Sequence, residues 1–301
     1  MLRATAARAF PDPQSNGPPP AAMSHPSRVI PCGPRRLIFT GRPLLMGIVN
    51  MTPDSFSDGG AFTSPRHAVA HALRLVEHGA DLIDVGGEST RPGARPVSVT
   101  QELRRVLPVI EGLAGKISVP IAIDTAKPEV ADKAVRAGAS IINDVTALAD
   151  PAMPDVAARA KAAVVLMHMR GTPRTMQRRP RYNDVVREVR DMLMAAARRA
   201  QRAGIRRERI LIDPGLGFGK TLSHNLTLMR HLKSFVRTGY PVVVGYSRKS
   251  FLGRLLKADV SGRLPGDLAC LAQAWEQGVQ IVRIHDVQAA AAFLRVRAAF
   301  Q

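Results

Sequence analysis

Polar side chains follow several short apolar segments of this chain. Asp124 ends one such segment, Asn143 and Asp144 end the next, and Asp213 ends a later one. Carboxylate and amide oxygens accept hydrogen bonds, and one carboxylate can accept two parallel bonds from a flat ring that carries amino and N–H groups. If these side chains lie together, they suit the amino-pyrimidine edge of a heterocycle.

Cationic side chains follow the last two apolar segments. Ser247-Arg248-Lys249 comes after one of them, and Arg283 and His285 belong to the other. Alternation along a strand would put Arg283 and His285 on one side. Cations at the last two strand ends of a parallel barrel commonly hold phosphate. The alternative for His285 is a structural histidine satisfied by a neighbouring carboxylate or by the backbone, and it would be preferred if this motif stood alone.

Two loops near the N-terminal half also carry polar residues. The loop that begins at Asn50 is long and ends in Gly59-Gly60, which is typical of a mobile functional loop. Residues 86–93 form a second loop of small residues in which Arg91 could bind an anion. The glycine-rich stretch 213–220 lacks the spacing of a phosphate-binding P-loop, which argues against a nucleotide hydrolase.

The elements that would position these residues are eight short apolar runs, each followed by a helix-like stretch. Glycines separate the helices from the next runs, and runs such as Ile121-Ala122-Ile123 are continuous, as in strands buried on both faces. We predict one α/β domain, a TIM (β/α)8 barrel over residues 37–301, after a disordered leader at residues 1–36 that is rich in Pro, Ala, Gly and Ser. The runs end at Asn50, Gly86, Asp124, Asp144, His168, Asp213, Ser247 and His285.

The net charge of +19 raises the question of nucleic-acid binding. Thirteen arginines and four acids lie between Arg170 and Arg209, and much of this segment has the pattern of an amphipathic helix with a solvated basic face. Aromatic residues make up only 4% of the chain, so a base-stacking surface is not expected. We therefore predict no nucleic-acid partner, and we predict no membrane partner because no apolar run approaches the length of a bilayer span.

Several of these motifs together closely resemble dihydropteroate synthase. The resemblance covers about residues 42–295, in order, with no missing element. It implies the barrel fold and the condensation of 6-hydroxymethyl-7,8-dihydropterin diphosphate with p-aminobenzoate to 7,8-dihydropteroate and pyrophosphate. The motifs are residues 47–60, 84–93, 123–125, 142–144, 167–173, 213–220, 247–249 and 283–287.

The resemblance also implies site residues, a cofactor and partners. The catalytic residues would be Lys249, Arg283, His285 and Asp124. The pterin would contact Asp124, Asn143, Met167, Asp213, Phe218 and Lys249. The diphosphate would contact Asn50, Thr90, Arg283 and His285, with Mg²⁺ held by Asn50. The p-aminobenzoate site, where sulfonamides compete, would contain Phe56, Thr90, Arg91, Pro92, Ser247 and Lys249. A cytoplasmic homodimer that receives its pterin diphosphate from a separate enzyme is expected.

Two residues depart from the family's usual pattern. Tyr246 stands where a smaller residue is usual, and it would alter the arylamine pocket if it pointed into the barrel but not if it packed against a helix. Asp267 replaces a residue that is more often Thr or Ser, and we predict it to be a helix N-cap. The alternatives are a pterin-dependent methyltransferase-like barrel and a catalytically silent pterin-binding protein.

Overall fold

The computed structural model describes residues 28–51 and 64–300. The strands are β1 (Arg28–Cys32), β2 (Arg35–Phe39), β3 (Leu44–Asn50), β4 (Leu82–Gly86), β5 (Ile121–Asp124), β6 (Ile141–Asp144), β7 (Ala163–Met167), β8 (Ile210–Asp213), β9 (Val243–Gly245) and β10 (Ile281–Ile284). The helices are α1 (Pro65–Glu77), α2 (Val99–Ala114), α3 (Pro128–Arg136), α4 (Met153–Arg159), α5 (Val185–Arg202), α6 (Leu222–Arg230), α7 (Leu232–Val236), α8 (Ser250–Leu256), α9 (Leu264–Glu276) and α10 (Val287–Ala298).

Eight parallel strands form the barrel. Their order is β8-β7-β6-β5-β4-β3-β10-β9, and a single parallel bridge between Ile212 and Val242 joins β9 back to β8. The (β/α)8 prediction is therefore confirmed. The predicted strand ends agree with the structure to within two residues, and the largest difference is at β9, which ends at Gly245 rather than Ser247.

Alternation along the strands separates two apolar layers. Val49, Ile83, Ile123 and Val244 point outward into the large core between the barrel and its helices. Leu82, Ala122, Ile141, Leu211 and Ile281 point inward and fill the N-terminal half of the barrel as a second core. This inner packing makes the barrel a filled core and leaves its polar chemistry to the C-terminal end of the strands.

The N-terminal end of the barrel is covered by the antiparallel hairpin β1–β2. Ile30 and Cys32 of β1 and Leu37 and Phe39 of β2 belong to the inner core. The prediction of a disordered leader through residue 36 is therefore wrong for residues 28–36. Alternating apolar residues on both strands supply a buried face, whose burial outweighs the local tendency of Pro31, Gly33 and Pro34 toward irregular structure. The leader residues 1–27 lie outside the described part of the chain.

Local signals mark where several helices begin and end. Ser64 caps α1 with its side chain, and Asp184 accepts the N–H groups of Val186 and Arg187 at the start of α5. Gly138 follows the C-terminal end of α3 and has a φ of +122°. A Cβ on this residue would lie 2.6 Å from the Cβ of Ala114, so both its backbone conformation and the close packing require glycine. Among the described helices, none is long and apolar enough to cross a membrane.

Candidate active site

The inward positions become polar two residues beyond the inner apolar core. Leu82 is followed on the same face by Asp84, Ala122 by Asp124, Ile141 by Asn143, Leu211 by Asp213 and Ile281 by Arg283. The four acidic and amide side chains are buried, and Arg283 is partly buried. The strands thus bring residues separated by up to 199 positions in sequence to one layer at the C-terminal mouth.

Arg283 connects two carboxylates across the barrel. Its Nε donates to Asp84 Oδ2 at 2.6 Å, and its Nη2 donates to Asp124 Oδ2 at 3.0 Å. Burial and the nearby charge of Asp84 raise the pKa of Asp124 to about 7, although Arg283 opposes that rise. Near neutral pH, Asp124 can therefore exchange a proton, while Arg283 stays charged.

Asp84 is a site residue that the sequence assignments missed. It is fully buried and also accepts hydrogen bonds from Asn143 Nδ2, at 3.3 and 3.4 Å to its two oxygens. It orients both Asn143 and Arg283. One signal was available in the sequence, because a single carboxylate within the apolar strand Leu82–Gly86 is costly to bury without a partner.

Asp213 begins a loop that runs over the barrel mouth. Its Oδ1 accepts the N–H of Gly215 at 2.7 Å. Lys220 stabilises the same loop from inside the protein. Its Nζ donates to the carbonyls of Gly215 at 2.8 Å and Phe218 at 3.0 Å and also contacts His168 Nδ1 at 2.9 Å. Burial holds the pKa of Lys220 well below its usual value. The loop carrying Phe218 is therefore fixed by an interior lysine that no sequence assignment included.

Lys249 extends into this layer from the loop after β9. Its Nζ donates to the carbonyl of Leu216 and lies 4.5 Å from the centre of the Phe218 ring. Burial lowers the pKa of Lys249 to about 8, and the charge of Asp213 limits the fall. Lys249, Phe218 and Asp213, all predicted to contact the pterin, therefore lie together. Met167, at the end of β7, is buried beside them, and its Cγ lies 3.3 Å from where a Cβ on Gly215 would be.

Ser247 and His285 are joined at the other side of the mouth. Ser247 Oγ lies 3.0 Å from His285 Nδ1 and accepts the His285 backbone N–H at 3.2 Å, and it lies 2.8 Å from Asp267 Oδ2. Burial and the cations Arg248 and Arg283 hold the pKa of His285 well below its usual value. Asp286 pairs with Arg248 instead, at 3.0 and 3.2 Å. The alternative in which Asp286 satisfies His285 is not what the structure has.

The two residues that depart from the family pattern are both placed. Asp267 lies in the first turn of α9, after the cap residue Arg263, so the prediction that it is an N-cap is wrong. The helix starts earlier than predicted, with Pro265 in its first turn, and this turns Asp267 toward Ser247. Tyr246 is fully buried in the outer core and does not enter the barrel, and its hydroxyl has no hydrogen-bond partner among the described residues.

Asn50 lies at the end of β3, close to Asp124. Asn50 Oδ1 and Asp124 Oδ2 are each 3.6 Å from the point that a Cβ on Gly86 would occupy, so glycine leaves room where two side-chain oxygens converge. Oxygen ligands are what Mg²⁺ prefers, and it often takes only one or two from the protein and the rest from substrate phosphates and water. No group of three or more His, Cys, Asp or Glu side chains that could hold a metal occurs in the described ranges. Asp124 Oδ2 already accepts Arg283 Nη2 at 3.0 Å, so a magnesium ion here would be held by Asn50 Oδ1 and would take its remaining ligands from substrate phosphates and water.

The loop after β4 carries the remaining predicted contacts. Thr90 is half-buried, whereas Arg91 and Pro92 are exposed at the rim. The charge of Arg91 helps to lower the pKa of His285, which places the two near one another. Glu88, at the base of this loop, pairs with Lys127, which also contacts the buried Glu102 at 2.5 Å. Phe56 lies outside the described residues.

A comparison with known proteins agrees with this geometry. Residues 46–285 match the family described as "Pterin binding enzyme". The fold and the site together therefore define a pterin-binding barrel enzyme.

Individual relatives narrow this class. Dihydropteroate synthase of Escherichia coli (strain K12) is 49% identical over 254 residues, which is 84% of this chain and 90% of the relative. A structure of Xanthomonas albilineans dihydropteroate synthase with 4-aminobenzoic acid superposes with a TM-score of 0.86 at 48% identity, covering 91% of this chain and 98% of the other. Another from the same organism, in complex with 7,8-dihydropteroate, gives a TM-score of 0.81 at 45% identity, with the same two coverages. The chain belongs to the dihydropteroate synthase family, whose members are transferases.

Proposed function

We propose that this chain condenses 6-hydroxymethyl-7,8-dihydropterin diphosphate with p-aminobenzoate, giving 7,8-dihydropteroate and pyrophosphate. The observation that carries the proposal is the convergence of Asp124, Asn143 and Asp213 with Lys249 in one buried layer at the barrel mouth. The complexes of the Xanthomonas albilineans relative with 4-aminobenzoic acid and with 7,8-dihydropteroate match one substrate and the product.

The pterin would lie flat across this layer. Among the described residues, only Oδ1 of Asp213 accepts a hydrogen bond, from Gly215, so its Oδ2 has none from the protein. A carboxylate in this position can accept hydrogen bonds from the amino-pyrimidine edge of the ring, and the Asn143 amide offers both a donor and an acceptor. Met167 and Phe218 would pack near the ring, and Lys249 would lie beside it.

The diphosphate would lie toward His285, Arg283, Asn50 and Thr90. Arg283 is already paired with two carboxylates, so it contributes positive charge from below rather than a free fork of donors. Magnesium held by Asn50 and by diphosphate oxygens would neutralise further phosphoryl charge when bound. The p-aminobenzoate would enter between Ser247, Lys249 and the rim residues Thr90, Arg91 and Pro92, with Phe56 from the first loop.

In the reaction, the bond between the pterin methylene carbon and the diphosphate oxygen breaks, and its electron pair leaves with pyrophosphate. The arylamine nitrogen then bonds to the electron-deficient methylene and loses a proton. No protein nucleophile is required. The main tasks of Lys249, Arg283 and His285 are to stabilise charge in a site from which water is excluded, because preorganised cations act most strongly there, while Asp124 holds Arg283 in place and can exchange a proton near neutral pH.

The direct test mixes the purified chain with both substrates and magnesium and follows dihydropteroate by chromatography. We expect product from the natural chain and much less from Lys249→Ala. Lys116→Ala is the matched control, because Lys116 is an exposed lysine just beyond α2 and far from the described site. Measurable pterin diphosphate binding without product would instead support the catalytically silent alternative.

We also propose a homodimer that forms through the apolar groove between α6, α8 and α9, a groove of about 310 Å³ that includes Phe251, Leu252, Leu255 and Leu256. Leu255 and Leu256 are 49% and 43% exposed, which is high for adjacent leucines on one helix. Sedimentation should give twice the chain mass, and Leu255→Glu should give a monomer. A monomeric natural chain would contradict this proposal.

Two further expectations accompany the proposed reaction. Sulfonamides should compete with p-aminobenzoate, because they would occupy the same rim of the barrel. A cytoplasmic location is consistent with two unpaired, buried cysteines, Cys32 and Cys270. Competition kinetics with varied p-aminobenzoate would test the first expectation, and it would fail if inhibition did not depend on that concentration.

A further inference from the structure

A buried hydrogen-bonded chain connects α9 to the last barrel strand. Asp267 is fully buried, Ser247 is 6% exposed, and His285 follows β10. The links are 2.8 Å from Asp267 Oδ2 to Ser247 Oγ and 3.0 Å from Ser247 Oγ to His285 Nδ1. Asp267 therefore contacts the predicted diphosphate ligand His285 only through the hydroxyl of Ser247.

The hydroxyl of Ser247 has one proton to donate and two lone pairs that accept. One lone pair is used without ambiguity, because the His285 backbone N–H donates to it at 3.2 Å. Two contacts remain, with Asp267 and with His285 Nδ1, for one proton and one lone pair. If Ser247 donates its proton to Asp267, then His285 Nδ1 must donate to Ser247. If Ser247 instead donates to His285 Nδ1, then Asp267 must donate to Ser247. The protonation of Asp267 and the tautomer of His285 are therefore coupled.

The Asp267 carboxylate sets the direction of this chain. Its Oδ1 accepts the backbone N–H of Arg248 at 3.1 Å, and its Oδ2 faces Ser247. Burial raises the pKa of Asp267, while the hydrogen bonds from Ser247 and Arg248 and the charge of Arg248 oppose that rise. An ionised carboxylate can only accept, so Ser247 donates to it and accepts from His285 Nδ1–H.

We propose that Asp267 is a positioning residue that, through Ser247, holds His285 as the Nδ1–H tautomer and leaves its Nε2 without a proton. In a neutral imidazole the second nitrogen is then an acceptor. The Ser247 hydroxyl becomes fully satisfied in this arrangement, with one bond donated and two accepted. The Ser247 hydroxyl thus serves to orient His285.

The functional consequence rests on the proposed function. A diphosphate oxygen that carries no proton cannot donate to a bare Nε2, so His285 must take up a proton before it can donate to the leaving group. In the free chain this proton is disfavoured, because His285 is buried and because Arg248, Arg283, Arg91 and His71, which belong to four different elements, act on it electrostatically. The carboxylates nearby are Asp267, reached through Ser247, and Asp286, which pairs with Arg248. The anionic substrate would reverse that balance, so diphosphate binding should be coupled to proton uptake.

The tautomer can be measured directly. Nitrogen-15 NMR of histidine-labelled protein at pH 8 distinguishes a protonated Nδ1 from a protonated Nε2, and His285→Gln assigns the signal. We expect Nδ1–H in the natural chain. Asp267→Asn keeps an oxygen for the Arg248 N–H but offers an amide donor to Ser247, so Ser247 should donate to His285 and the spectrum should change to Nε2–H.

Asp286→Asn is the matched control, because this neighbouring carboxylate pairs with Arg248 and not with Ser247. Asp286→Asn should leave the His285 tautomer unchanged. If loss of any nearby carboxylate disturbed the site, this variant would change the tautomer too. An Nε2–H signal in the natural chain would overturn the proposal, and that spectrum decides the question even if Asp267→Asn does not fold. An unchanged Nδ1–H signal in folded Asp267→Asn would overturn the role of Asp267.

Calorimetry of pterin diphosphate binding in two buffers of different ionisation enthalpy tests the consequence. We expect uptake of roughly one proton at pH 8 by the natural chain, in line with binding linkage, and clearly less by Asp267→Asn, whose Nε2 already carries a proton. Equal uptake would overturn the coupling. Absence of binding in the natural chain would contradict the proposed function, while the NMR result would still decide the tautomer.

Discussion

The two ends of the same barrel strands differ in character although they lie only two residues apart. On β8, the inward side chain of Leu211 belongs to the inner apolar core, and the next inward side chain is the buried carboxylate of Asp213. The same change occurs from Ile141 to Asn143 on β6. Two residues along a strand span about 6.6 Å. Within that distance the barrel changes from a packed core to a polar site.

The side chains that stabilise the barrel and those that form the site therefore lie at different depths along the same strands. The apolar layer is buried by surrounding aliphatic groups and by the hairpin β1–β2. The polar layer satisfies its groups with one another, as in the contacts of Arg283 with Asp84 and Asp124. Buried polar groups of this kind rarely improve stability over apolar ones, so their presence is better explained by function.

Asp213→Asn should have the largest effect on activity. The amide can still accept the Gly215 N–H but would present a donor where the pterin also donates, so kcat/KM should fall by roughly 10³-fold, as for other mismatched buried hydrogen bonds. The free energy of unfolding should not decrease, because burial already disfavours the charged form of Asp213. Steady-state kinetics and denaturant unfolding of the same preparation test both parts. A large loss of stability in Asp213→Asn would contradict the claim that the polar layer contributes little to stability.

Leu211→Ala should show the opposite pattern. Its truncation leaves a cavity in the inner core and should lower the free energy of unfolding by about 2–5 kcal/mol. The activity per folded molecule should stay within a factor of about two, because the polar layer is unchanged. Leu211→Met conserves most of the volume and should cost less than about 1.5 kcal/mol. If Leu211→Ala were as inactive as Asp213→Asn, the two layers would not be independent.

Deprotonation of Lys249 should limit activity at high pH. Its pKa of about 8 means that the cation is lost as the pH rises through 8, so kcat/KM should fall about tenfold per pH unit above that value. Lys249→Arg keeps its charge at all these pH values and, even if less active, should lose this alkaline limb. A limb at the same pH in Lys249→Arg would assign it to another group.

Tyr246→Phe should have the smallest effect, and a favourable one. The hydroxyl of Tyr246 is buried in the outer core without a partner among the described residues, and removing an unsatisfied buried hydroxyl should stabilise the chain by about 1 kcal/mol. Activity should be unchanged because the ring faces the helices. Denaturant unfolding would measure the gain, and a loss of stability would reveal a hydrogen bond to water.

The barrel could be predicted from sequence because each strand is a continuous apolar run and glycines end the helices between them. The hairpin could not, since Pro31, Gly33 and Pro34 suggest irregular structure and its buried face forms only against the barrel. The polar residues at the strand ends could also be predicted from sequence, because each follows an apolar run. The structure brings Asp124, Asn143, Asp213, Lys249 and Arg283 together as expected.

Contacts between distant elements were beyond sequence reasoning. The pairing of Asp84 with Arg283 joins residues 199 positions apart, and nothing local to either residue specifies the other. Asp267 was visible, but its role depends on where α9 begins, and helix ends are the least predictable feature of a sequence. The sequence allows two orientations of Tyr246, and its burial in the outer core decides between them.

The hairpin β1–β2 closes the N-terminal end of the barrel. Because Ile30, Cys32, Leu37 and Phe39 seal the N-terminal opening, substrates and products have to enter and leave through the same C-terminal mouth. A shortened chain that began after Phe39 would present an open apolar well to water at the far end, and such a surface promotes aggregation. The minimal unit for expression or crystallisation therefore includes Arg28, nine residues before Leu37, where the sequence pattern places the start of the barrel domain.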